Sequence, residues 1–310
     1  MFKFVEPSAT MITETDPFKH IERVGRTCYK SEDRITDDSA YKFVRGLMKS
    51  QHTAMVEHAV FVFQLKRATL LNLTALHNCP YLNVTMNGHN GRILASANVR
   101  ALNEQAATNT GAALLLAKLY EQCPGMVYAD KSLYEGKDAA YIDIVNIDTL
   151  DDLATYEVEA HKYLSFRFIT DRGVTHEMVR HRPPSYGQES TRYVNYLEGI
   201  SICLPTGFYE RAPEVQEEYQ KAFAHADEHY RNLINMGEKP QQARAVLPNA
   251  LKTEIVMTTN IAEWNHVWNL RVFGTTGAPH PDIKAIMQMA YDQAGTDPTV
   301  AKYRLMKEAA

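Results

Sequence analysis

Along the chain, apolar residues recur at two spacings, one suited to strands and one to helices. Glu57 to Leu65 (EHAVFVFQL) is dense in β-branched and aromatic residues and predicts a strand. Tyr163 to Thr170 predicts a second, with Leu164, Phe166 and Phe168 on one face, and the Thr/Val/Ile-rich run Leu251 to Thr259 a third. Asp37, Asp38 and Ser39 offer N-caps for a helix carrying Phe43, Val44, Leu47 and Met48 on one side. The strongest helical signal lies between Pro213, suited to a first helical position, and Gly237, suited to the residue after the C-cap. Between them Val215, Tyr219, Phe223, Ala226, Tyr230 and Leu233 keep a spacing of three or four. Asp171-Arg172-Gly173 predicts a turn, then a short helix from about Thr175 that must stop before Pro183-Pro184. Asn260, with Glu263 three residues on, predicts a capping box that opens a helix reaching Arg271. A last helix follows Pro281 through Ile283, Ile286, Met287 and Ala290.

Helices and strands do not alternate regularly, and no fixed-period repeat is present. The expected class is therefore α+β, with mixed helices around a mainly antiparallel sheet. Residues 1–66 and 161–310 read as one domain. Residues 67–160 read as an insertion within it, with Asn/Gly-rich text at Asn87 to Gly91, a helix through Leu114 to Tyr120 and a short strand at Tyr141 to Ile147.

Composition narrows the functional classes. A chain of 310 residues with 45% hydrophobic content can bury a sizeable core. The formal net charge of −4 supplies no global field for nucleic acid, so no nucleic-acid partner is expected. Cys28, Cys79, Cys123 and Cys203 form no C-x-x-C pair, which reads as a reduced intracellular chain. Met1 to Thr10 lacks the pattern of a signal peptide, and no run approaches the roughly 20 apolar residues of a membrane span. A cytoplasmic protein without a membrane partner is expected.

The densest chemistry runs from Arg180-His181-Arg182 through Pro183-Pro184 to Ser190-Thr191-Arg192-Tyr193. Guanidinium groups bind phosphate and carbonyl oxygens bidentately, and the intervening Ser and Gln side chains add orienting hydrogen bonds. The segment reads as a site for a phosphorylated, planar, hydrogen-bonding ligand. The alternative is a solvated basic face at a helix end, where the helix dipole favours cations.

With those residues in view, the chain resembles the flavin-dependent thymidylate synthase family, the thymidylate synthase complementing proteins. The family signature is R-H-R, seven residues, then S, and Arg180-His181-Arg182 to Ser190 matches it without a gap. Glu57-His58-Ala59-Val60-Phe61-Val62-Phe63 resembles the upstream EH-x-x-F-x-F strand. Arg244-Ala245-Val246-Leu247-Pro248 resembles the AR-x-x-LP turn, and Asn260 to Arg271 resembles the N-x-R-x-W-x-H-x-x-x-L-R helix.

The resemblance implies a homotetramer with active sites shared between subunits. It implies reductive methylation of dUMP to dTMP, with FAD as cofactor and NADPH and methylenetetrahydrofolate as co-substrates. By it, Arg180, His181 and Arg182 contact FAD, His58 and the backbone near Val60 approach the flavin or folate, and Asn260 and His266 lie on the FAD side. Glu177, Arg180, Gln188, Glu189, Ser190, Arg192, Arg244 and Arg271 line the dUMP pocket, with Gln188 between flavin and nucleotide. Arg271 is the catalytic arginine: held at the uracil N3/O2 edge, it stabilises negative charge as C5 becomes nucleophilic. No protein nucleophile is implied, so Ser190 reads as a binding hydroxyl, and no metal is expected. One departure stands out. Where the family carries an FAD-contacting Arg, this chain has Ala262, while Asn98-Val99-Arg100-Ala101-Leu102 echoes the lost N-x-R text. Arg100 is therefore expected to supply the missing guanidinium.

Other readings are weaker. His176-Glu177 with His181 misses an H-E-x-x-H pattern, because the histidines are five apart, not four, and do not share a helical face. No G-x-G-x-x-G or P-loop motif is present, which argues against a Rossmann flavoprotein. A non-enzymatic nucleotide- or RNA-binding module lacks an aromatic-basic platform. An enzyme for another pyrimidine nucleotide, or one leaving a hydroxymethyl group, stays open. Outside the resemblance, His58 reads as a core histidine, Trp264 and Trp268 as core, and Tyr193 and Tyr196 as packing.

Overall fold

The computed structural model describes residues 2–67, 70–79, 81–303 and 305–306. Its strands are β1 (Lys3–Phe4), β2 (Ser8–Ile12), β3 (Val60–Leu65), β4 (Leu82–Met86), β5 (Ile93–Asn98), β6 (Ile142–Val145), β7 (Tyr163–Asp171), β8 (Ser185–Gln188), β9 (Ser201–Ile202) and β10 (Lys252–Asn260). Its helices are α1 (Pro17–Tyr29), α2 (Ser39–Lys49), α3 (Leu70–His77), α4 (Val99–Gln105), α5 (Thr110–Gln122), α6 (Thr155–His161), α7 (Arg172–Met178), α8 (Pro213–Asn235), α9 (Pro240–Ala243), α10 (Ile261–Arg271), α11 (Pro281–Ala294) and α12 (Pro298–Lys302). The class is α+β, and both four-stranded sheets are wholly antiparallel.

The first sheet has the order β2-β7-β10-β8. β7 and β10 pair along their whole length, from Lys252 opposite Asp171 to Asn260 opposite Tyr163. One face carries Leu164, Phe166, Phe168, Ile255 and Met257 into a core closed by α10 and α11. Trp264 and Trp268 are fully buried there and stacked at 5.4 Å, as expected of core residues. The opposite face is polar and lies against α1. Ser165 Oγ is 2.7 Å from Thr258 Oγ1, which is 2.7 Å from His58 Nδ1, and Ser165 Oγ is 3.3 Å from His20 Nε2. Burial, and for His58 the neighbouring His20, holds these imidazoles well below their ordinary range, His58 at about 3 and His20 at about 4. α1 comes so close that a Cβ on Gly187 would meet Val24 Cγ1 at 2.4 Å.

The second sheet, β4-β5-β3-β6, is built largely from residues 82–145 but has β3 as an inner strand. Phe63, Leu65, Ala95 and Ala97 pack on α5, through Leu115, Leu116 and Leu119.

Several local expectations change. Glu57 and His58 close a 3₁₀ turn, Thr53–His58, and the strand starts at Val60. Asp171 is not mid-turn but the N-cap of α7, its Oδ1 accepting from the Val174 N–H at 2.8 Å, so that helix starts at Arg172. Asp38 holds the cap position of α2 without a side-chain bond. The helix from Pro213 is present, yet among its apolar stripe only Phe223 and Tyr230 are buried, while Val215 and Tyr219 are exposed. α11 is followed by the short α12, whose Val300 enters the first core. No described helix is long and apolar enough to cross a membrane.

Candidate functional site

α7 leaves the end of β7 and stops at Met178, and Arg180-His181-Arg182 forms the turn after it. α10 runs back from the end of β10 and brings Arg271, in its last turn, to that turn. Arg271 Nε donates to His181 Nε2 at 3.0 Å, and Nη1 donates to Glu177 Oε2 at 2.8 Å. The guanidinium is thus clamped from two sides. His181 accepts this bond as a neutral imidazole: burial, then the charges of Arg271, His266 and Arg180, lower it to about 4. Arg180 and Arg182 are exposed and make no ion pair among the described residues.

The same corner holds a group that sequence reasoning missed. Glu263, in the first turn of α10, lies with His266 and His181 so that one ligand atom of each falls within 4.8 Å of the others. Its capping box is half made. Asn260 Oδ1 accepts from the Glu263 N–H at 3.0 Å, but the carboxylate does not reach back, and Glu263 Oε1 is buried without a hydrogen bond. Burial raises this carboxyl to about 7. Glu263 and His266 share a helical face at i, i+3, which was the available signal. The trio has a donor set a divalent cation could use, although the Arg271 guanidinium opposes a second cation there. His176, from the rejected zinc pattern, is exposed and outside the trio.

The next residues along β8 form a second group. Gln188 Nε2 donates to Thr175 Oγ1 at 3.0 Å, tying it to α7. Glu189 is buried, accepting from Tyr196 Oη at 2.9 Å and from Lys252 Nζ at 3.0 Å. Lys252 also pairs with Glu254, which is bound by Lys30 and Arg167 as well. Burial pushes the Glu254 carboxyl up, but these cations outweigh it and hold it at about 2. Ser190 donates its backbone N–H to Cys28 O at 3.0 Å. Arg192 is exposed over the Tyr193 ring at 5.5 Å, and Arg244 Nη1 donates to Thr191 Oγ1 at 3.2 Å. Arg244 and Arg192 therefore meet at the 190–193 loop, whereas Arg271 belongs to the 177–181 corner.

A cleft of about 640 Å3 opens between Arg182-Pro183-Pro184 and α4 of the second sheet, with Tyr186 at its wall. A smaller cavity of about 320 Å3 shares Glu57, Tyr81, Asn98, Pro183 and Ser185 with it, and adds Val60, Thr258 and Asn260. His58 lies behind that wall, bonded to Thr258. Arg100 lines the larger cleft, its Nη1 donating to Glu57 and its Nε to Glu104, each at 2.8 Å. The cysteines offer no ready thiolate: burial pushes Cys28 and Cys203 up to about 12, and none of the four is in a disulfide.

The fold and these groups define an α+β protein in which two guanidinium groups, Arg100 and Arg182, and two carboxylates, Glu57 and Glu104, line one cleft. A family model described as thymidylate synthase complementing protein matches residues 10–78 and 117–296, and the chain belongs to that family. Every sequence-predicted site residue except Arg100 falls within the matched stretches. The chain is 36% identical to a flavin-dependent thymidylate synthase of Pyrococcus furiosus over 104 residues, 33% of this chain and 42% of that protein. It is 32% identical to one from Geobacter sulfurreducens over 127 residues, 40% and 54% of the two chains. The matches thus span about half the length of these relatives. A crystal structure of a UMP/dUMP methylase from Streptomyces cacaoi bound with 5-Br dUMP is 13% identical, covers 94% of this chain and 92% of that one, and has a TM-score of 0.42.

Proposed function

We propose that the protein is a flavin-dependent thymidylate synthase, converting dUMP, methylenetetrahydrofolate, NADPH and a proton to dTMP, tetrahydrofolate and NADP+. The meeting of Arg271 with Glu177 and His181 carries this reading, because it fixes a guanidinium beside the R-H-R turn. The residues suit a flavin dinucleotide. Arg182, without an ion pair among the described residues, lines a cleft whose volume lies within the roughly 300–1,000 Å3 of small-molecule sites, and the exposed Arg180 precedes it by two residues.

Arg180, His181 and Arg182 would hold FAD, with Asn260 and His266 on the FAD side and His58 and the backbone near Val60 toward the flavin or folate. When bound and reduced by NADPH, the flavin supplies the hydride that completes the methyl group. Gln188, Glu189, Ser190, Arg192 and Arg244 hold the nucleotide, with Arg180 and Glu177. Arg271 meets the uracil edge and stabilises the charge that develops as C5 attacks, its orientation set in advance by Glu177 and His181. The raised pKa values of the cysteines support a route without a protein nucleophile. The 177–181 corner and the 190–193 loop come together in a cytoplasmic homotetramer with shared sites. The exposed Val215, Tyr219 and Met236 on and beside α8 support association.

Tritium release from C5-labelled dUMP tests the reading. Release should require FAD, NADPH and methylenetetrahydrofolate together, with dTMP as product and no turnover of dCMP. Absence of release under the full set of reactants overturns it.

A further inference from the structure

The larger cleft has two walls of different origin. One is the Arg182–Tyr186 turn, inside the family match. The other comes from residues 81–105, inside the stretch 79–116 that the family model does not match. On that second wall Tyr81 has φ of 65°, a left-handed backbone that is uncommon for a bulky residue, and is 66% exposed while lining both cavities. Bulky side chains held in this region are strained, and such strain gathers at ligand clamps. Below it, Arg100 faces the same space as Arg182. Glu57 and Glu104 hold its Nη1 and Nε, leaving Nη2 without a hydrogen bond among the described residues.

We propose that residues 81–100 form a second binding wall for an anionic ligand bearing a flat heteroaromatic ring. Tyr81 stacks on the ring, and Arg100 pairs with the anionic group from the side opposite Arg182. Glu57 and Glu104 line the same cleft and offset part of the charge of Arg100, so the match rests on the aromatic face, on the unbonded Nη2 of Arg100 and on Arg182 across from it. A dinucleotide and a folate both carry such a ring and anionic group. The inference rests on the thymidylate synthase reading only for the choice of probes.

The test uses the full chain and isothermal titration with FAD, NADPH, tetrahydrofolate and dUMP, each alone. The variants are Tyr81→Ala, Tyr81→Phe and Arg100→Gln, with thermal melts as a check on folding. Tyr81→Ala should bind one of FAD, NADPH or tetrahydrofolate about tenfold more weakly, and Tyr81→Phe should restore that binding. Arg100→Gln should weaken the same ligand about fivefold and flatten its salt dependence. The ligand affected identifies the source. An effect on FAD also carries the expectation that Arg100 stands in for the guanidinium absent at Ala262.

Wild-type affinity for all ligands in Tyr81→Ala and Arg100→Gln overturns the second wall, and leaves the thymidylate synthase reading standing if the parent binds FAD and dUMP. Weakened NADPH or tetrahydrofolate binding in a protein whose parent binds neither FAD nor dUMP supports the wall and removes that reading. A parent that binds none of the four overturns both.

Discussion

Glu254 and Glu263 sit on consecutive elements, β10 and α10, and both side chains are drawn out of water, yet their environments are opposite. Glu254 is met by Lys30, Lys252 and Arg167 and held at about 2; Glu263 keeps one oxygen with no partner and is pushed by burial to about 7. The first pattern is that of a group whose work is complete in the folded chain. Its lone pairs are spent on cations that link α1, β7 and β10. The second is that of a group with capacity left over, beside two histidines and a clamped arginine. Glu254 thus serves the scaffold, while Glu263 keeps hydrogen-bonding capacity that the described residues leave unused.

This contrast can be broken by substitution. Glu254→Gln leaves three cations facing a neutral amide and should cost about 3–5 kcal/mol of stability, read from urea unfolding. A loss under about 1 kcal/mol would mean the network is ornamental. Arg271→Ala, at the other corner, should lower kcat for tritium release by about 10²–10³-fold while the far-ultraviolet spectrum stays unchanged. A comparable fall in stability and activity would merge the two regions into one. Tyr196→Phe removes a hydrogen bond to the charged Glu189 at the rim of the Glu254 network and should cost about 1.5–3 kcal/mol.

The smallest effect is one of sign. The folded pKa of Glu263, about 7, lies above its ordinary 4.5, so its stabilising contribution is complete below about pH 4.5 and is lost as pH rises through 7. Glu263→Gln should therefore be more stable than the parent at about pH 8, by on the order of 1 kcal/mol after allowing for its partial exposure, and should match it near pH 5. Glu254 runs the other way. Its contribution is complete above about pH 4.5 and is lost as pH falls through 2. Parallel pH profiles for the two variants would contradict the comparison.

Strands β7 and β10 were legible because alternation and β-branched runs are local signals, and the R-H-R turn because its spacing is. Arg271 was legible for the same reason, through the text of α10. The start of α7 was hidden because Asp171 serves as a cap where a turn was expected, and Glu57-His58 because a 3₁₀ turn carries no period-two signature. The second sheet was largely illegible. β3 pairs with β5 and β6 across long separations, and pairing of that kind leaves no mark in a short window. Glu263 was read only as a cap, since its neighbours His181 and His266 meet it through tertiary packing. Tyr81 and Asn98 became visible as cleft residues only once the second sheet faced the 182–186 turn.

The Thr258–Ser165 pair has a consequence for the two imidazoles at its ends. Each hydroxyl owns a single proton, so the row from His58 through Thr258 and Ser165 to His20 must point one way or the other. If His58 carries its proton on Nδ1, His20 must carry its own on Nδ1 as well; reversing the row moves both protons to Nε2. Two side chains on separate helical turns thus share one binary choice of tautomer, and the nitrogen chemical shifts of either ring report the state of the other.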